Sequence, residues 1–313
     1  MADYGRRTFG GGALPDMSAP DLLQELQRCL RYQQAKAWEK PWIDSRRCVT
    51  NQLLKFGLIG GRPGSIRAVD AFHLRNFAIV TGEAVSQEIA CYGFVEPTLT
   101  EALLRLVEPG QVVVDIGMHL GYYATLLALL VGERGEVHGF EPTSSTRQIA
   151  QWNTRRFPQI RVHPFAVWSS VTTIRFRDYG PQWMAFNTSS KSKLGSDPVV
   201  PQEIEVQTTT LDQFRASLNK RISLMKIDAE SAEREILAGA RGLLKEDRPI
   251  ITVEVGDPDQ SNDSRKLVND LMAMDYAPWD FADGRFHVHR PREVYTYDNL
   301  IFAPADRDLS AVK

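Results

Sequence analysis

An ionised side chain inside an apolar strand is costly unless something uses it, so charged residues that interrupt apolar runs mark the places to look for chemistry. Asp115 follows the run Val112-Val113-Val114, and Gly117 and Gly121 come next. Glu141 and Pro142 follow a second run, Val137–Phe140. Lys226, Asp228 and Glu230 alternate at the end of a third, Ser223–Ile227, and Glu254 stands near the end of a fourth, Ile250–Val255. Glycine lets backbone approach a ligand closely. A carboxylate at the end of a second strand can accept hydrogen bonds from both hydroxyls of a ribose. The spacing Asp-x-Gly-x-x-x-Gly differs from the Gly-x-Gly-x-x-Gly that cradles a pyrophosphate, which argues against a nicotinamide-dependent oxidoreductase. His119 sits in the same loop and could touch a ligand, although a lone loop histidine is more often solvated. His138 reads as structural. His287 and His289 share a strand face, which reads as solvated.

Strands and helices must present these residues together. The chain alternates: strand Val112–Ile116, helix Tyr122–Val131, strand Val137–Phe140, helix Ser144–Arg156, strand Val162–Val167. After an irregular or β-rich stretch, 171–209, come strand Ser223–Ile227, helix Ala232–Lys245, strand Ile250–Val255 and helix Ser264–Met274. Strands Phe286–His289 and Leu300–Ala303 close the pattern, one of them antiparallel because no helix separates them. Such alternation gives a parallel sheet covered on both faces. Upstream, Ser18 caps a helix whose Leu22, Leu23, Leu26 and Leu30 recur at helical spacing through about Trp38. Lys55 to Asp70 is rich in glycine and reads as a loop. Phe72–Val80 reads as one strand of a hairpin turning at Thr81-Gly82-Glu83, and Thr98–Leu106 as a helix. These elements divide the chain into a disordered tail, 1–17, a helical and hairpin extension, 18–86, and a main domain, 87–313.

Composition sets the outer limits. Of 313 residues, 43% are hydrophobic and 24% charged, an ordinary globular balance. The net charge of -2 implies no nucleic-acid partner. Cys29, Cys48 and Cys91 are odd in number and far apart, which supports neither a disulfide framework nor a zinc site. With no leader-like apolar segment and no run long enough to insert into a membrane, a cytoplasmic location is expected. The leucine-striped helix leaves a homo-oligomer open.

The blocks DIGMHLGYYATLLA, HGFEP, TTTLDQF, LMKIDAESAEREILAGARGLL and PIITVEV resemble those of FkbM-type methyltransferases over about residues 87–303. The resemblance implies a Rossmann-like class I methyltransferase fold: a mostly parallel seven-stranded α/β sheet with helices on both faces, plus the N-terminal helical extension. It implies S-adenosyl-L-methionine as cofactor, held by Asp115, Gly117, His119, Gly121, Tyr122, Glu141, Pro142 and Ala166. This cofactor has no phosphate, so the loose glycine loop suits it. Two blocks depart from the family's usual wording. Met118-His119 stands for Ala-Asn in DIGAN-x-GYYT, and Ser231 stands for the glycine of KIDVEG.

Methyl transfer needs an aligned, desolvated nucleophile and sometimes a base. Asp228 and Glu230 are the candidates, with Lys226 and Glu254 beside them. Helix N-terminal acids favoured by the macrodipole would account for Glu230 and Glu233, but not for Lys226 and Asp228 in an apolar strand. A magnesium site on Asp228, Glu230 and Glu254 is a lesser alternative, and no metal is expected. By resemblance the acceptor is a hydroxyl on a sugar, glycolipid or secondary metabolite. An amine on a small molecule or peptide side chain is the runner-up, and an inactive cofactor-binding scaffold is the non-enzyme rival. Trp168, Trp183, Phe186 and Asn187 could form an acceptor wall.

Overall fold

The computed structural model describes residues 17–55, 61–189, 199–229, 231–256 and 263–312. The expected tail, apart from Met17, and Glu230 lie outside them. In chain order the elements are α1 (Ala19–Gln34), α2 (Lys40–Ile43), α3 (Ser45–Lys55), β1 (Ile66–Val69), β2 (Phe77–Val80), α4 (Ala84–Tyr92), α5 (Pro97–Leu106), β3 (Val112–Ile116), α6 (Tyr122–Val131), β4 (Glu136–Phe140), α7 (Ser144–Thr154), β5 (Ile160–His163), β6 (Ala166–Val167) and β7 (Thr173–Asp178). There follow a single 3-10 turn (Met184–Phe186), β8 (Gln202–Thr209), α8 (Leu211–Ala216), β9 (Leu224–Ile227), α9 (Glu233–Ala238), α10 (Arg241–Glu246), β10 (Ile250–Val255), α11 (Asp263–Ala273), β11 (Tyr276–Ala282), β12 (Arg285–Val288) and β13 (Asp298–Pro304).

The main sheet runs β12-β11-β13-β10-β9-β3-β4-β5. From β10 through β5 every pairing is parallel, and β13, β11 and β12 each pair antiparallel with their neighbours. The sheet thus has eight strands among the described residues where seven were expected. Strand β11, with Pro278 in its middle, does not read as a strand in the sequence. It is the extra strand, and it turns through Asp283-Gly284, both at positive φ, into the edge strand β12, which matches the expected Phe286–His289. Successive side chains of β3 alternate between two apolar layers. Val113 joins a layer with α5, α6 and β2, and Val112 and Val114 join a layer with α8, α9, α10 and α11.

The N-terminal segments belong to the first layer. Helix α1 starts where Ser18 and Asp21 form a capping box, and it buries Leu22, Leu26 and Cys29 there. Four readings need correction. The partner of β2 is β1, upstream of it, so residues 66–69 are strand rather than loop, and Thr81–Glu83 does not turn a hairpin. Glu83 instead accepts from the Val85 and Ser86 amides as the N-cap of α4, a helix the sequence reading lacked. The expected helix Ala232–Lys245 is broken at Gly239, where a Cβ would meet the Trp168 carbonyl at 2.2 Å. The expected strand Val162–Val167 is divided at Pro164, and its second half joins a separate sheet, β6-β8-β7, over the cavity described next.

Candidate active site

Neighbouring strands leave β3 in opposite directions, toward β4 and β5 on one side and β9 and β10 on the other. Beyond the carboxyl ends of such strands a crevice opens. Here it is a cavity of about 310 Å³. Its floor is the loop 117–120. At Gly117, φ is 76°, and a Cβ would lie 1.7 Å from the Asp228 carbonyl oxygen, so only glycine fits. His119 follows with φ 50°, in the left-handed region that asparagine enters more readily than most residues. Burial pushes its imidazole below the usual histidine range. Its Nε2 is buried without a hydrogen-bond partner among the described residues.

One wall is the end of β4. Glu141 is 7% exposed, and its Oε1 accepts from the Thr143 amide at 2.9 Å. Burial pushes its carboxyl up to about 7, against the stabilising hydrogen bonds at Thr143. Arg147 donates to the carbonyls of Glu141 and Pro142 and fixes the turn after it.

The opposite wall is β9. Lys226 lies beside Asp115 in the parallel register and is 2% exposed. Its Nζ lies 3.6 Å from Asp115 Oδ1, 3.2 Å from Asp228 Oδ2 and 4.9 Å from the Tyr123 ring centroid. Burial disfavours its charge, but Asp228 and Asp115 outweigh it, so Lys226 is held above the usual lysine range. Burial pushes the Asp115 carboxyl up, opposed by Lys226. Asp228 is one-third exposed and faces the cavity. The ion triplet explains why charge persists in these apolar strands: each buried charge is paired, and removing one strands the others.

Of the expected cofactor residues, Gly117, His119, Tyr122, Glu141, Pro142 and Ala166 line the cavity. Asp115 does not; it lies beneath, holding Lys226. Gly121 does not either; at φ 84° it is the N-cap position of α6. Of the expected catalytic residues, Lys226, Asp228 and Glu254 line the cavity, and Glu230 lies outside the described residues. Glu233 Oε1 accepts from the amides of Ala229 and Ser231 and shapes the turn. Ser231 itself stands at φ 75°, a conformation in which glycine is unstrained. Both departures from the family's wording therefore fall on left-handed backbone.

The β6-β8-β7 sheet and the turn after it form an apolar side with Phe165, Trp168, Ile174, Phe176 and Met184. Trp168 and Asn187 line the cavity, while Trp183 and Phe186 pack against each other outside it. His289 is buried rather than solvated, between Asp280 and the Tyr295 hydroxyl. His138 is buried against His163, so it is structural as expected. Sequence reasoning missed Glu96, whose Oε2 accepts from the Tyr123 hydroxyl at 3.0 Å and whose Oε1 accepts from Asn299 at 2.7 Å and from the Tyr297 hydroxyl. Its one local signal is Pro97, which opens α5. Among the described residues no group of three or more His, Cys, Asp or Glu could hold a metal ion, and no helix is long and apolar enough to cross a membrane.

A buried hydroxyl acceptor at a strand end and an unsatisfied imidazole nitrogen fit a ribose-bearing cofactor. Comparisons point the same way. The family model described as the methyltransferase FkbM domain matches residues 115–280, more than half of the chain. Similar solved structures include the methyltransferase FkbM from Methylobacillus flagellatus KT, at 15% identity and TM-score 0.41, with 91% of this chain covered. The chain spans 60% of the length of that protein. Another is an O-methyltransferase from Bacillus cereus in complex with SAH, at 17% identity and TM-score 0.39, covering 67% of this chain and 81% of that one. A comparison with curated proteins gave no match. The chain belongs to the FkbM family of S-adenosylmethionine-dependent methyltransferases.

Proposed function

We propose that the chain methylates a hydroxyl on a ring-bearing small molecule or glycan. The observation that carries this reading is the pairing, across one cavity, of the apolar side formed by Phe165, Trp168, Ile174 and Phe176 with the acids Asp228 and Glu254. A sugar or aromatic ring would lie its apolar face on the first and point its hydroxyl at the second. An amine arriving here would be held as an ammonium by these acids and would have no lone pair to attack with. A hydroxyl keeps its lone pairs while it donates its hydrogen.

The chain's own part is positioning. Glu141 accepts hydrogen bonds from the ribose hydroxyls, and Gly117 lets the loop pack on the Asp228 carbonyl, which keeps the loop beside the acid edge. When bound, the cofactor supplies a methyl group on a positively charged sulfur. That carbon would be the electrophile for the acceptor oxygen, and the proton of the hydroxyl would leave toward the acid edge formed by Asp228 and Glu254. Asp228, held by the Lys226 ammonium at 3.2 Å, orients the hydroxyl. The surrounding acids also suit a cationic methyl donor over a neutral one.

The test is turnover with matched acceptor pairs, ring alcohols against the corresponding amines, followed by S-adenosylhomocysteine release and product mass. The alcohols should be methylated. Methylation confined to the amines would replace this reading with N-methylation. Cofactor binding without turnover of either acceptor class would support the inactive cofactor-binding scaffold.

A further inference from the structure

A second cavity, of about 980 Å³, lies between α1, α3, β1 and the loop 70–76. Six arginines line it, Arg28, Arg46, Arg47, Arg67, Arg75 and Arg156, against three acids, Glu25, Asp44 and Asp70. The lining therefore carries three formal positive charges in excess, in a chain whose net charge is -2. The acids are already engaged: Arg28 pairs with Glu25 and Asp44, Arg47 with Asp44, and Arg46 with Asp70 at 2.9 Å. The guanidiniums of Arg67, on β1, and Arg75, in the loop, have no ion pair or hydrogen bond among the described residues. Two unpaired guanidiniums from separate segments facing one concavity are a recognition device for an anion with several oxygens.

His73 also lines this cavity, is 1% exposed, and has its Nε2 2.9 Å from Thr125 Oγ1. Its ring therefore belongs to the packing beneath the arginines. The methyl-transfer cavity has the opposite character, with Glu88, Glu96, Glu141, Asp228 and Glu254 against Lys226. A small anion is repelled there and attracted here.

We infer that the cavity between α1, α3 and the loop 70–76 is a binding site for a phosphate-class anion, held by Arg67 and Arg75. Two sources present that chemistry, a soluble phosphate compound and a phospholipid headgroup. The full chain is titrated with inorganic pyrophosphate by calorimetry and, separately, sedimented with phosphatidic-acid vesicles. Pyrophosphate binding identifies a soluble ligand; binding to vesicles alone identifies the lipid headgroup. Either must weaken about tenfold per guanidinium removed in Arg67→Gln and Arg75→Gln, the loss of a charged hydrogen bond. Neither side chain is paired, so both variants keep the parent's melting temperature, and each single variant serves if the double variant fails to fold. The exposed Arg290→Gln, away from the cavity, binds like the parent. The inference is overturned if neither probe binds, if the arginine variants bind like the parent, or if Arg290→Gln loses as much as they do.

Discussion

Burying Glu141 at the end of β4 ties cofactor binding to pH. The carboxyl titrates at about 7 instead of the ordinary 4.5 because burial disfavours its charged form. The sign follows. Below pH 4.5 the group is neutral in folded and unfolded chains alike and makes no difference. Between 4.5 and 7 the unfolded chain ionises while the folded chain does not, so stability falls as pH rises. Above 7 the full penalty is present, about 3 kcal/mol for that displacement. Ribose hydroxyls donate to the carboxylate, so cofactor binding favours the ionised form and expels a proton near neutral pH. With an apparent value near 7, binding at pH 6 should be about tenfold weaker than at pH 8, or about 1.4 kcal/mol. Calorimetric titration of S-adenosylhomocysteine in buffers of different ionisation enthalpy measures both affinity and proton release. Glu141→Gln should bind about 1–3 kcal/mol more weakly, with no proton release and a flat pH profile. It should also remove the stability loss between pH 4.5 and 7. A parent whose affinity does not change between pH 6 and 8, or a variant that still releases a proton, would refute the assignment of the ribose to this carboxylate.

Replacing Lys226 by Met strands the buried Asp115 charge and should cost about 3–5 kcal/mol in urea unfolding, most of it regained when Asp115→Asn is added. Asp228→Asn and Glu230→Gln should lower turnover by about 10²–10⁴-fold with little change in cofactor affinity, and near-parental turnover in both would leave catalysis to proximity alone. Ser231→Gly should relieve left-handed backbone and stabilise the chain by about 1 kcal/mol, read as a raised melting temperature. Deleting residues 1–17 should leave that temperature unchanged, while Leu26→Ala, fully buried on α1, should cost about 2–5 kcal/mol.

What could be read in the sequence follows from how local each signal is. A buried parallel strand writes itself as an apolar run, and its end as the first charge, so Asp115, Glu141, Lys226 and Asp228 stood out before any coordinates. Parallel order then forces those ends to one edge of the sheet. What the run cannot tell is depth. Asp115 and Asp228 both follow apolar residues, but the pairing of Asp115 with Lys226 across β3 and β9 puts the first beneath the cavity and the second on its wall. That distinction lives in the register of strands more than a hundred residues apart. Glu96 shows the same limit more sharply. Beyond Pro97 nothing beside it in the sequence marks it, because its partners lie far along the chain: Tyr123 on α6, Tyr297 just before β13 and Asn299 on β13. The substitutions at His119 and Ser231 were visible as departures from a motif, but their meaning was not. Only the positive φ of both residues explains why asparagine and glycine are the usual choices, and why this chain carries backbone strain on two sides of one cavity. Positive φ alone does not mark the site, because Asn76, Arg248, Asp275 and Asp283 share it elsewhere in the molecule. What sets this edge of the sheet apart is that such backbone coincides there with charged residues at the ends of apolar strands.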